Sequence, residues 1–225
     1  MSVEKLIASV HEEAKREDFP IDEKVYKSAG RDPFEPTLFF GNLQSKVCFF
    51  ARDLGKDEVH AKQPLYGAAG RLVRNGIHVT MHGESTKDQD KLEAAAKKVL
   101  LTNTVPYKPP GNKAYSAAVK KRFRPFLEEL LLEHWQGDYI ITLGNEAFKW
   151  FNTYATKKVA DEFFRREDRY EAELEITIAP KGSDLEKKVI LAPLPHPSPL
   201  NQKYYHIFPD LLQNRLLKVK DSLGT

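Results

Sequence analysis

A chain of 225 residues with a net charge of +3 and no long apolar run holds material for one sizeable core and offers no helix that would cross a membrane. Its single cysteine, Cys48, excludes an intramolecular disulfide and any cysteine-ligated metal cluster built from this chain alone. The mild positive charge permits a polyanionic partner without demanding one.

Residues Val3 to Arg16 place Leu6, Ile7 and Val10 at helical spacing, and the early acidic charge argues against a cleaved secretory signal, so a cytoplasmic location is expected. Gly30 to Pro36 is turn-rich and closes an N-terminal extension over residues 1–36. No buried strand delivers Asp32, which therefore reads as part of a structural turn. Val47 to Ala51, short, apolar and aromatic, predicts a fully buried strand ending at Arg52-Asp53-Leu54-Gly55. A helix is expected to open near Gly67 and run through Leu72; the polar stretch from Arg74 to Leu92 reads as an insertion. A helix over Lys87 to Lys98 then precedes a buried strand from Val99 to about Thr102, which delivers Asn103.

Pro106 to Gly111 is a loop, and Ala114 to His134 a long helix with Val119, Phe123, Phe126, Leu127 and Leu130 on one side. The strand Tyr139 to Leu143 meets Gly144-Asn145-Glu146, where Asn145 is suited to cap the following helix. Glu173 to Ile178 alternates like a half-exposed strand, and Lys181-Gly182-Ser183-Asp184 turns it back into a fourth buried strand, Val189 to Leu194. That strand runs into Pro195-His196-Pro197-Ser198-Pro199-Leu200-Asn201, where three prolines leave the histidine little backbone freedom. A helix through Leu211, Leu212 and Leu216 closes a single domain over 1–225.

Helical patterns between continuously apolar strands predict an α/β fold, a three-layer α/β/α sandwich around a central, mostly parallel four-stranded sheet. In open sheets of this kind ligands bind beyond the carboxyl ends of the strands, and those ends present Asp53, Asn103, Asn145 and His196. Asp53 is suited to general-base or electrostatic work, or to capping the next turn. Asn103 offers the donor and acceptor that read an amide-like edge such as that of a pyrimidine, or it orders a loop. His196 is placed to donate to a developing oxyanion, or is a satisfied core histidine, and Ser198 with nearby amides could grip a phosphate. Lys108, Lys113, Lys120, Lys121, Arg122 and Arg124 gather around the Pro/Gly loop and the helix behind it, as a polyanion site or a solvated helix face.

Read in order, VCFFARDLGKDE, QPLYGAAGRL, LLTNTVPYKPPGN, IITLGNEAF and LPHPSPLN, preceded by Phe39-Phe40-Gly41-Asn42, resemble the uracil-DNA glycosylases over about Phe39 to Asn214. The closest branch is family 4, normally an iron–sulfur protein. The resemblance has departures. Tyr107 stands at the cysteine of the CRPP motif and the other cluster ligands have no counterpart, so no iron–sulfur cluster, other metal or organic cofactor is expected. Arg52 replaces the usual Glu, whereas Asp53 stands where the family 1 GQDPY motif has its water-directing Asp, and HPSPLN is closer to the family 1 loop. Gly55 occupies the place of the Tyr that excludes thymine's methyl group. Leu65 aligns with the aromatic that stacks on the base, with Tyr66 or Phe50 as alternative substitutes.

The resemblance implies a monofunctional hydrolase, acting as a monomer, that flips a deaminated base, uracil above all, out of DNA and so initiates base excision repair. It assigns catalysis to Asp53 and His196, and base contact to Asn103 together with Arg52, Leu54, Gly55, Leu65, Tyr66 and Phe50. It assigns the DNA backbone to Lys108, Pro109, Asn112, Asn145 and Ser198, with Leu200 filling the gap left by the flipped base. Two other classes stay open: a non-catalytic member that binds damaged or single-stranded DNA, and a small-molecule enzyme acting on nucleosides.

Overall fold

The computed structural model describes residues 2–111, 113–198 and 201–224. Its helices α1 (Val3–Arg16) and α2 (Glu23–Ser28) precede strands β1 (Phe39–Gly41) and β2 (Val47–Ala51). Helices α3 (Lys56–Ala61), α4 (Ala68–His82) and α5 (Gln89–Ala96) lead to β3 (Leu100–Asn103). Helix α6 (Ala117–Glu129) passes through a π-helical turn, Leu130–His134, to β4 (Tyr139–Leu143), α7 (Asn145–Lys149), a 3-10 turn (Trp150–Tyr154) and α8 (Lys157–Arg165). The antiparallel pair β5 (Leu174–Ile178) and β6 (Lys187–Leu194) comes next, followed by α9 (Gln202–Tyr205), α10 (Phe208–Leu217) and a closing 3-10 turn.

The six strands lie in the order β1-β3-β2-β4-β6-β5. The four central strands are parallel, and β1 and β5 are antiparallel edges. The expected sheet of four is therefore the parallel centre of a sheet of six. Continuous apolar runs form the central strands because both faces are covered. In β2, Cys48 and Phe50 point into the core built with α1 and α6, whereas Val47, Phe49 and Ala51 point into the core built with α4, α5 and α10. The two cores on either side of one sheet make the three layers.

The helix expected to end near Leu72 continues to His82, and Arg74, Ile77, His78 and Thr80 are buried on its inner side rather than part of a polar excursion. A charged residue hides the period here. Arg74, 1% exposed, turns its guanidinium inward and donates to the carbonyls of Leu65 (2.8 Å) and Pro64 (3.3 Å) and to Gln63 Oε1 (2.9 Å). Satisfying a buried cation with three acceptors makes it tolerable, and it fixes the segment that forms one wall of the cleft described below. Asn145 does not cap α7: Gly144 is the N-cap and Asn145 the first helical residue.

Tyr107 is fully buried, packs edge-on against Phe19 (5.3 Å between ring centroids) and donates its hydroxyl to the Phe34 carbonyl at 2.8 Å. Its ring joins the N-terminal segment to the loop before α6. The residues do not fit an iron–sulfur cluster, since Cys48 is the single cysteine of the chain and lies buried in β2.

Candidate active site

The carboxyl ends of β2, β3 and β6 open into one cleft of about 260 Å³, which Asp53, Asn103 and His196 line together. Parallel register carries them there: Ala51 at the end of β2 pairs with Asn103 at the end of β3. The chain then turns through Arg52 to Gly55 before α3. The volume lies just below the ~300–1,000 Å³ of sites for drug-sized ligands, a scale suited to one flat heterocycle.

The Asp53 side chain is 3% exposed. Its Oδ1 accepts from Thr104 Oγ1 at 3.3 Å, the Tyr115 backbone amide also donates to the carboxylate, and Oδ2 accepts no hydrogen bond among the described residues. Arg52 Nε lies 3.7 Å from Oδ2. Burial holds the Asp53 carboxyl above the usual carboxylate range, opposed by the charges of Lys120 and Arg52 and by these hydrogen bonds. Asn103 donates from Nδ2 to the Arg52 carbonyl at 2.9 Å, while its buried Oδ1 accepts no hydrogen bond among the described residues. Among the described residues the cleft thus contains two buried acceptor atoms without donors. Such atoms are costly unless a ligand or water satisfies them.

His196 is half-buried, and burial, reinforced by the positive charge of Arg52, lowers its pKa, so the imidazole is neutral at neutral pH. Its carbonyl accepts from the Ser198 amide (2.9 Å) and from Asn201 Nδ2 (3.2 Å), which folds the loop back on itself. The ring rests against Gly144, at φ +86°, where an added Cβ would stand 3.0 Å from His196 Cβ. A side chain at 144 would therefore be strained by the backbone and push the imidazole aside.

The opposite wall is built by Glu58, whose role the sequence reading missed. Its Oε2 accepts from the Gly55 amide (3.0 Å), and its Oε1 from the amides of Tyr66 (3.0 Å) and Gly67 (2.8 Å). One carboxylate ties the loop carrying Asp53 to the segment carrying Leu65. The signal lay three residues beyond Gly55, where an acidic side chain is placed to accept from the N-cap amide of α3, the half of a capping box that a glycine N-cap allows. An added Cβ on Gly55 would stand 2.5 Å from Glu58 Oε2, so this wall is carboxylate where the resemblance places an aromatic. Glu58→Gln puts an amide where Gly55 needs an acceptor. Hydrogen bonds to a charged group contribute about 1.5–3 kcal/mol each, and a loss of that size is expected in urea unfolding.

The structure brings several of the expected base contacts to the cleft and corrects others. Arg52, Gly55 and Leu65 line it, Leu65 in the left-handed region at φ +51°. Leu54 lines the adjoining mouth together with Pro109, Lys113 and Ser198. Phe50 is not available for stacking, because its ring is fully buried against Trp150 and Phe151 (4.9 Å to each). Tyr66 is absent from the lining and lies under Arg74 instead, 5.1 Å from its guanidinium carbon to the ring centroid. Lys108 is corrected as well: 3% exposed, its ammonium donates to Asp22 Oδ2 (2.7 Å) and to the carbonyls of Pro109 and Gly111, so no donor is left for a phosphate. Asn145 is exposed at the start of α7. Asn112 and Leu200 lie outside the described residues.

The model of the Uracil DNA glycosylase superfamily matches residues 38–220. The chain belongs to the uracil DNA glycosylase superfamily. No curated protein matches it. Superfamily membership brings with it the observed fold, a glycosidase-type hydrolase function in DNA repair, and DNA as the macromolecular partner. Among the described residues no helix is long and apolar enough to cross a membrane, and no group of three His, Cys, Asp or Glu side chains could hold a metal ion.

Proposed function

We propose that this superfamily member is a monofunctional DNA glycosylase that extrudes a deaminated base, uracil first, and hydrolyses its N-glycosidic bond. The observation that carries the reading is the convergence of Asp53, Asn103 and His196 on one cleft whose buried acceptors await donors. Flipping costs a few kcal/mol, least where the base is mispaired. The Oδ1 of Asn103 accepts from N3–H of uracil, and the second hydrogen of Nδ2 faces O4. Cytosine presents an acceptor and an amino group at those two places and so opposes both.

As the bond to C1′ breaks, its electron pair stays on the base and positive charge grows on the sugar. Asp53, ionised, stabilises that cation, orients the attacking water and takes its proton. His196, neutral, donates to the developing base oxyanion, while the Arg52 guanidinium adds a fixed positive charge beside it. The base then leaves after gaining a proton. Gly55 presents no ring against a C5 substituent and the Glu58 carboxylate forms that wall instead, so thymine is expected to be excluded less strictly than by an aromatic side chain.

A non-catalytic DNA-binding role is the second reading. It is favoured by the absence of an aromatic ring from the cleft lining, where Leu65 stands. A panel of oligonucleotides, each bearing one uracil, hypoxanthine or xanthine in single- or double-stranded form, separates the two. Alkali-labile abasic sites with at least one base support the enzyme, and binding without abasic product supports the alternative.

A further inference from the structure

A second groove, of about 310 Å³, runs outside the cleft between α6 and α7. Lys120, Lys121, Arg124 and Lys149 line it, and Glu146 is its one carboxylate. Four cations against one anion give this groove a local net charge of +3. The cations differ in freedom. Lys121 and Lys149 are exposed. Arg124 is fixed over the Trp150 ring, 3.9 Å from its centroid, and donates to the Trp150 carbonyl (2.8 Å) and the Tyr154 hydroxyl (3.1 Å). Lys120 is held by Glu146 at 2.7 Å.

Groove and cleft share a wall. Tyr115 lines the groove, and its backbone amide donates to the Asp53 carboxylate. The charge of Lys120 acts on Asp53, and that of Arg52 acts on Glu146. A phosphodiester chain leaving the cleft on this side meets the cations directly.

We propose that the groove carries the sugar–phosphate backbone of the strand flanking the extruded nucleotide, and that Glu146 restrains its grip by neutralising Lys120. The inference rests on the glycosylase reading for the occupant of the cleft. An open groove with several separate cations suits a chain of phosphates, each neutralised with release of counterions.

The test is fluorescence anisotropy with a labelled single-stranded oligonucleotide carrying a tetrahydrofuran abasic analogue, titrated over a range of salt. Lys121→Gln/Lys149→Gln is expected to weaken binding ~10-fold or more at low salt. It also flattens the plot of log affinity against log salt by about 1.4, two phosphate contacts at ~0.7 each on a single strand. Glu146→Gln is expected to tighten binding and steepen the same plot. The comparison variant is Lys181→Gln/Lys188→Gln, at the amino end of β6 and so at the far end of the sheet. Equal losses from the comparison variant, or unchanged slopes in both groove variants, would overturn the proposal. Uracil release by the unaltered protein, measured in parallel, keeps the two readings apart. Release with unchanged slopes removes the groove alone, and no release with flattened slopes removes the glycosylase and leaves the groove.

Discussion

His196→Ala is expected to slow single-turnover release of uracil by ~100-fold or more, the usual loss when one preorganised donor to a developing oxyanion is removed. The side chain is well placed for this. The loop backbone is folded onto the His196 carbonyl and the ring lies against Gly144, so little reorganisation is needed when charge develops. Because burial and Arg52 lower the pKa of His196, the imidazole stays neutral below the ordinary histidine range. No loss of rate is therefore expected on going from pH 8 to 7. His196→Gln, which keeps a donor, should recover part of the rate, whereas a purely structural histidine would show no such rescue.

Asp53→Asn is expected to lower release by ~10²–10⁴-fold, the range for removing a positioned general base, and at the same time to stabilise the fold. The second effect follows from linkage. Burial raises the folded-state pKa of Asp53 above its unfolded value. The stability this group contributes is thus fully present below the unfolded value, about 3.9, and is lost as pH rises through the folded one. At pH 7 the ionised carboxylate is a burden that Asn of nearly the same shape removes. Thermal unfolding should show the variant with the higher Tm at pH 7 and the difference closing as pH falls to 4. The same shift sets the acid limb of the wild-type rate profile above the ordinary carboxylate range. A variant that loses activity and stability together would mean that Asp53 holds the loop rather than acting on substrate.

The sequence made the central strands and the three converging side chains legible for one physical reason. A strand buried on both faces excludes charged and amide side chains and admits at most a threonine, as at Thr102 and Thr142, so its end is marked by the first charged or amide residue, and that residue stands at the mouth of the sheet. What stayed hidden depends on contacts between distant segments. Arg74 breaks the helical pattern of α4, yet it is buried because the carbonyls of Pro64 and Leu65 receive it. Lys108, read as a surface cation, is captured by Asp22 from the N-terminal extension. Phe50 looked available as a stacking ring because alternation along a strand gives its face but not which helices cover that face. Glu58 stands at the spacing that reaches back to the Gly55 amide, but nothing local showed that its other oxygen would join the amides of Tyr66 and Gly67 across the cleft. The edge strand β1, only three residues long, has too little pattern to stand out from a loop.

The most direct test of a cleft that cuts the glycosidic bond is single-turnover formation of abasic sites in a duplex with one G·U mismatch, comparing the unaltered protein with Asp53→Asn. Abasic product is expected from the former and ~100-fold or greater slowing in the latter at saturating protein. Equal rates for the two, or retention of the intact oligonucleotide by a protein that binds it, would contradict that expectation.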